Sequence, residues 1–256
     1  MNRTPFCNKI IWLALALFLL VFSGCAGNRA GTDLNTEGSR PAGQEVARDS
    51  LRAKFVLSMA GEDGKMQDLD AVLFSVPGER YRMELTGPMG IGVASLLWTR
   101  EEWNMVFPTE KMYLHGNGYM VGLLGDTTIP MVPIHQVADL FDGILIPQNS
   151  EIVAQNDSAG YKVVSAKAPN GMSFTYGEKD GQVCWFSRSG MNGKPETLKF
   201  SDFRSFENRV LPENIVFERD GKVFLKIRIK KVNHGKPFSG GTWRLNIPRS
   251  FKAVGS

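Results

Sequence analysis

The chain has 256 residues, of which 43% are hydrophobic and 10% aromatic, an ordinary composition for a globular protein with a sizeable core. Its formal net charge is only +4, and no basic patch or acidic tract stands out. This balance argues against nucleic acid as a partner, because phosphate recognition needs clustered basic side chains.

The N-terminus has the pattern of an export signal. Arg3 and Lys9 precede an uninterrupted apolar run from Ile10 to Phe22, which is shorter than the roughly 20 residues that a spanning helix needs. The sequence therefore predicts a signal peptide over residues 1–24. The small residues before Cys25 resemble a bacterial lipobox, in which the cysteine carries the lipid anchor. An ordinary secreted protein cleaved nearby is the alternative.

The next stretch, residues 25–44, is small, polar and rich in glycine, without apolar periodicity. This composition predicts a flexible tether from the lipidated cysteine to a folded body at residues 45–256.

The body is rich in alternating apolar and polar residues, which predicts strands with one buried face. Turn sequences such as "VPGER", "EKDGQ" and "ERDGK" separate the strands and indicate hairpins, so we expect a mostly antiparallel sheet. Near the C-terminus, "TWRLNIP" predicts one extra strand at about 242–248. The alternation predicts that seven large apolar side chains face inward: Phe55, Leu57, Met83, Leu85, Trp103, Met105 and Phe107.

One segment, about 117–147, lacks this alternation. "YMVGLLG" predicts a short helical turn, and "PIHQVADLFDG" predicts a helix that ends at Gly143. We expect the two pieces to form a lid over the concave face of the sheet. The apolar lid positions are Leu123, Leu124, Ile134, Val137 and Phe141.

The sequence gives no specific reason to expect an enzyme. Its three histidines, His115, His135 and His234, are far apart and have no neighbour at ligand spacing, so we predict neither a metal site nor a cofactor. The large apolar residues of the strands and lid have two interpretations: packed core, or the wall of a cavity that accepts acyl chains. The residues alone leave both open.

Three local patterns resemble the LolB family of outer-membrane lipoprotein receptors. They are "RYRMELTGPMG", "GLLGDTTIPMVPIHQVADLFDG" and "PENIVFERDGKVFLKIRIKKV", in the order seen in that family. With the lipobox, the resemblance extends to about Val232, and the tail beyond departs from the family pattern. It implies a mainly β fold with a few short helices, namely an unclosed antiparallel β-barrel of LolA/LolB type with a short-helix lid over a hydrophobic cavity.

The resemblance also implies a function. A LolB-like protein takes lipoproteins by their acyl chains from a periplasmic LolA-like carrier and inserts them into the outer membrane. It is expected to be a monomer that needs no nucleotide. The apolar strand and lid residues named above would line the cavity. An apolar residue protrudes from the family's "TGPMG"-like turn and is important for insertion, and Met89, after Pro88, holds that place here. The alternative is an anchored structural or interaction lipoprotein with the same fold and a filled core.

Overall fold

The computed structural model describes residues 50–60, 65–117, 134–190 and 193–254. The predicted signal peptide, Cys25 and tether lie outside these residues. So do Leu123 and Leu124 of the first predicted lid piece.

The described residues form fourteen strands, one α-helix and two short 3₁₀ turns at Pro88–Gly90 and Gly240–Trp243. The helix is α1 (Ile134–Phe141). The strands are β1 (Leu51–Ala60), β2 (Met66–Val76), β3 (Arg80–Thr86), β4 (Gly92–Thr99), β5 (Glu102–Phe107), β6 (Met112–Asn117), β7 (Glu151–Ser158), β8 (Tyr161–Lys167), β9 (Ser173–Lys179), β10 (Gln182–Ser189), β11 (Pro195–Phe206), β12 (Arg209–Arg219), β13 (Lys222–His234) and β14 (Lys252–Ala253).

All strands belong to one sheet in the order β14-β6-β5-β4-β3-β2-β1-β13-β12-β11-β10-β9-β8-β7. Every pairing is antiparallel except the short one between β14 and β6. β7 and β14 are its two edges and do not pair with each other, so the sheet does not close. The predicted mainly β, unclosed antiparallel barrel is therefore confirmed.

The alternation in the sequence decides which face of each strand is inside. In β13, Leu225, Ile227 and Ile229 are buried, whereas Lys226 and Arg228 between them are exposed. Because successive side chains point to opposite faces, this pattern gives one apolar concave face and one wet convex face.

Helix α1 covers part of the concave face. The Phe141 ring lies 4.9 Å from the ring of Phe55 on β1. The helix stops two residues before Gly143, which has a φ of 79°. There the Ile144 amide donates to the Asp139 carbonyl and the Gly143 amide to the Leu140 carbonyl, the bond pattern of a Schellman cap. The predicted helix and its glycine stop are confirmed.

The predicted extra strand at about 242–248 is wrong. A 3₁₀ turn occupies Gly240–Trp243, and residues 244–248 form no strand. The tail instead crosses the convex face of the sheet. The Arg82 guanidinium donates to the carbonyls of Thr242 and Arg244 at 2.6 and 2.9 Å, and the Trp243 ring lies 4.8 Å from the Arg80 guanidinium. The Arg82 side chain thus satisfies two tail carbonyls that a strand partner would otherwise bind, and sheet pairing resumes only at β14.

Candidate functional site

The antiparallel register brings several connections to one end of the sheet. The β3–β4 turn lies at the same end as the β5–β6 turn, the β8–β9 and β10–β11 loops and the β12–β13 turn. We call this end the tip end. Each of these connections follows a strand that runs toward that end, so their side chains share one rim of the half-barrel.

The β3–β4 turn projects an apolar side chain into solvent. Met89 is 93% exposed and Ile91 beside it is 53% exposed. Pro88 opens the 3₁₀ turn, and the Gly87 amide donates to the Ile91 carbonyl at 2.8 Å, which closes its base. The structure therefore places Met89 and Pro88 at the apex of an outward turn, which we call the tip.

Met89 also has an unusual backbone conformation. Its φ of 60° lies in the left-handed region, and Gly90 follows with a φ of 76°. A non-glycine residue costs roughly 1–2 kcal/mol there because its Cβ crowds the following carbonyl. Glycine would fit this position more easily, so the methionine side chain is present at an energetic cost.

The strand and lid residues predicted to line a cavity are part of a packed core. All ten that the structure describes are buried in one hydrophobic cluster, and none lines the cavity described next. They are Phe55, Leu57, Met83, Leu85, Trp103, Met105, Phe107, Ile134, Val137 and Phe141. Their own side chains and α1 fill the part of the concave face formed by β1 to β5.

A cavity of about 390 Å³ lies farther along the same concave face, between α1, the segment 144–148 and strands β10 to β13. Its sheet side carries Phe186, Leu198, Phe217 and Phe224, and the Phe217 and Phe224 rings are 6.0 Å apart. On the opposite side lie the apolar residues Leu140, Ile144, Leu145, Ile146 and Pro147. The volume lies within the range of about 300–1,000 Å³ typical of small-ligand pockets.

A charged cluster lies on the concave face next to the cavity, at the tip end. Glu196 is paired across the sheet with Arg188 on β10 and Arg219 on β12. Arg188 Nε lies 3.2 Å and Arg219 Nη2 lies 2.6 Å from its two carboxylate oxygens. All three side chains are between 12% and 17% exposed. We call this cluster the rim triad.

Sequence reasoning missed the rim triad, although one signal was present. Phe186 and Arg188 are two residues apart in a strand and therefore share a face. With Phe186 inward, Arg188 is an inward charge in an otherwise apolar alternation. Such a position indicates either a paired structural charge or a binding group.

Two features are absent from the part of the chain that the structure describes. Those residues contain no group of three His, Cys, Asp or Glu side chains able to hold a metal ion. No helix among them is long and apolar enough to cross a membrane.

Comparison with known proteins identifies the fold. No protein-family model matches the chain, and no curated protein matches its sequence. A LolA superfamily protein from Nitrosomonas europaea aligns with a TM-score of 0.51 at 12% identity, over 77% of this chain and 91% of that one. A DUF1329 family protein from Desulfovibrio piger aligns with a TM-score of 0.54 at 12% identity, over 78% and 91% of the two chains. The fold of this chain is thus similar to that of these two solved structures.

Proposed function

We propose that this protein is a LolB-like lipoprotein of the outer membrane that binds acyl chains and helps to insert incoming lipoproteins. The observation that carries the proposal is an apolar cavity on the concave face, with an exposed apolar tip at the end of the sheet that the cavity approaches. A LolA-like periplasmic carrier would supply the lipoproteins. The role requires binding and release, with no covalent chemistry.

Solvation supports this mechanism. Each methylene transferred from water to an apolar site contributes about 0.8 kcal/mol, so an acyl chain strongly prefers a cavity or a bilayer to water. Cavity and bilayer are both apolar, and transfer between them is nearly balanced. Net transfer from the carrier to the membrane then requires that the cavity bind the acyl chain more tightly than the carrier does and less tightly than the membrane does.

The tip supplies a contact with the bilayer in this proposal. Burying a methionine side chain contributes about 1.5–3 kcal/mol, enough for weak and reversible insertion. The distance to the cavity is short: the tip is on β3, and Phe224 is on β13, three strand spacings or about 15 Å along the sheet. A chain that leaves the cavity would therefore emerge close to the membrane contact.

Anchoring is the second part of the proposal. Lipid on Cys25 would hold the protein to the outer membrane, with residues 25–44 as a tether between the anchor and the barrel. A Cys25→Ala variant should lose incorporation of radiolabelled palmitate and leave the membrane fraction. Retention of the label in that variant would contradict attachment at this cysteine.

Transfer of a labelled lipoprotein from a LolA-like carrier to liposomes tests the function directly. We expect the full chain to accelerate transfer, and we expect Leu198→Trp to slow it because the indole would fill the cavity. Phe203→Trp is the matched control, since Phe203 is a half-buried residue of the same strand that does not line the cavity. Equal rates for both variants would remove the cavity from the mechanism.

A second candidate function, an anchored structural or interaction lipoprotein, is favoured by the filled half of the barrel. The predicted cavity residues pack against α1, and the Phe55–Phe141 contact leaves that region closed. In the transfer proposal these residues become an acyl-chain wall only if α1 moves away. If the full chain neither accelerates transfer nor co-purifies with lipid, an anchored structural or interaction lipoprotein is the better description.

A further inference from the structure

We propose that a basic patch on the convex face docks the barrel on the anionic headgroups of a membrane. The patch comprises five exposed side chains: Arg52 and Lys54 on β1, and Arg228, Lys230 and Lys231 on β13. The proposal rests on the membrane attachment proposed above and goes beyond it, because it assigns the convex face a contact of its own and the class of lipid that makes it.

A β-bulge gathers the lysines of the patch. Lys54 is the cross-strand partner of Lys231. The next residue of β1, Phe55, pairs with Ile229, so Lys230 is an extra residue of β13. Strict alternation after Ile229 would turn Lys231 inward, whereas with the bulge both Lys230 and Lys231 are exposed. Three lysines therefore surround one bulge on the convex face.

The positive charges of the patch are not neutralised by one another's neighbours. None of its five side chains forms an ion pair with a carboxylate among the residues that the structure describes. The Arg52 guanidinium instead lies 5.3 Å from the centre of the Phe74 ring. Like charges directly opposite each other destabilise a sheet, so the pair Lys54–Lys231 lowers the stability of the protein by itself. An anionic surface would relieve this repulsion.

Three carboxylates lie around the patch without pairing with it. Asp70 on β2 is separated from Arg228 by Val56 of the intervening strand. Asp202 accepts hydrogen bonds from a serine and an asparagine side chain, and Glu207 is bound by an asparagine side chain and by the last residue of β13. Positive charge therefore predominates at the centre of the patch.

The position of the patch identifies a membrane as its partner. The patch begins two residues after Ser50, where the chain from the proposed anchor enters the sheet. On its other side, Arg228 lies in one cross-strand row with Thr86, the last strand residue before the tip. The patch thus occupies the convex face between the two proposed membrane attachments. A membrane along this face would leave the cavity on the concave face open to an incoming carrier.

The length of the tether suits this contact. Ser50 follows Cys25 by 25 residues, and a flexible chain of that length has an end-to-end distance of roughly 25–30 Å. Attraction between the patch and anionic headgroups acts within the Debye length, about 8 Å at physiological ionic strength. The anchor would therefore keep the barrel near the membrane, and the patch would set its orientation there.

Amine footprinting tests the contact. The full chain would be placed in nanodiscs of phosphatidylcholine alone or of an equal mixture with phosphatidylglycerol, labelled with an amine-reactive ester and mapped by mass spectrometry. A lysine near an anionic membrane surface shifts a docking equilibrium about fivefold. We therefore expect labelling of Lys54, Lys230 and Lys231 to be at least about fivefold lower on the anionic discs. Salt at about 1 M, which shortens the Debye length to about 3 Å, should restore it.

Variants assign the docking to the patch. Lys230→Gln combined with Lys231→Gln should weaken docking about 25-fold and restore the labelling of Lys54 on anionic discs. Lys167→Gln combined with Lys179→Gln is the matched control, because these exposed lysines of β8 and β9 carry the same charge outside the patch. The patch variant should be at least as stable as the wild type in urea denaturation, since it removes like-charge repulsion. A lower stability would indicate a structural role for the two lysines instead.

The outcomes separate this proposal from the broader function. Equal labelling of Lys54 on neutral and anionic discs would refute docking on anionic lipid, and an acidic protein would then be the better partner for the patch. Failure of lipoprotein transfer with Lys54 still protected would refute delivery and leave the docking in place. If Cys25→Ala frees the chain from neutral vesicles but not from anionic ones, the patch binds anionic lipid without the anchor.

Discussion

Replacing Met89 by glycine should separate the stability of the fold from its activity at the membrane. Met89 is 93% exposed and makes little contact with the rest of the protein, yet its φ of 60° is unfavourable for any residue with a Cβ. The side chain therefore costs stability without contributing to the core. A residue kept in such a conformation is a candidate for function.

The expected change in stability can be worked out from two terms. Removing the Cβ relieves roughly 1–2 kcal/mol of left-handed strain. The greater freedom of glycine in the unfolded chain returns about 0.5–1 kcal/mol of that gain. Met89→Gly should therefore raise the free energy of unfolding by about 0–1.5 kcal/mol. The apolar contact with the bilayer would be lost, which at about 1.5–3 kcal/mol corresponds to roughly a tenfold to 150-fold slower delivery.

Urea denaturation measures the free energy of unfolding, and transfer of a labelled lipoprotein to liposomes measures the rate of delivery. Met89→Leu is the control, since it keeps an apolar side chain and the same backbone strain, and both values should stay near those of the wild type. Unchanged delivery by Met89→Gly would show that the tip takes no part in membrane contact. A loss of stability above about 1 kcal/mol would show that Met89 packs against the fold in solution.

Three further predictions concern the fold. Gly116→Ala should lower the free energy of unfolding by about 1–3 kcal/mol in urea denaturation, because the added Cβ would lie 2.7 Å from the buried Trp103 ring. An unchanged free energy of unfolding would mean that the ring can shift freely. Trp243→Ala should cost about 1–3 kcal/mol and expose the tail to proteases, since the ring packs over the Arg80 guanidinium and an aromatic neighbour; an equally resistant tail would refute this. Hydrogen bonds from an asparagine side chain and a β13 backbone amide lower the pKa of Glu207 below its ordinary 4.5, so its stabilisation is present above pH 4.5 and fades as the pH falls through the lowered value. Glu207→Gln should flatten stability against pH in that acidic window, and an unchanged acid titration of stability would exclude this contribution.

The local sequence was sufficient to predict the strands and the helix α1. Period-two alternation and glycine-containing turns are local properties, and they assigned Trp103, Met105 and Phe107 to the inner face correctly. The helix was predictable for the same reason: its apolar spacing and Gly143 both act within a few residues. The exposed turn at Met89 also followed from local proline and glycine chemistry.

The location of the cavity was not predictable in this way. Alternation shows that a side chain faces inward, but it does not show whether another side chain fills the space opposite. Phe55 meets Phe141 of α1, whereas Leu198 and Phe217 border open space. All four are large apolar residues in the sequence. Only the path of α1 across the concave face decides which inward side chains meet a partner and which border the cavity.

The sequence by itself determined the periodicity of the strands, the stop of the helix and the apolar apex of the tip, because backbone sterics and side-chain alternation act over neighbouring residues. The tertiary structure alone decided which part of the concave face is filled, how Arg188, Glu196 and Arg219 meet, and where the tail runs. Those features depend on pairings between residues distant in the chain, and the rim triad exists only because three strands bring their inward charges into one row.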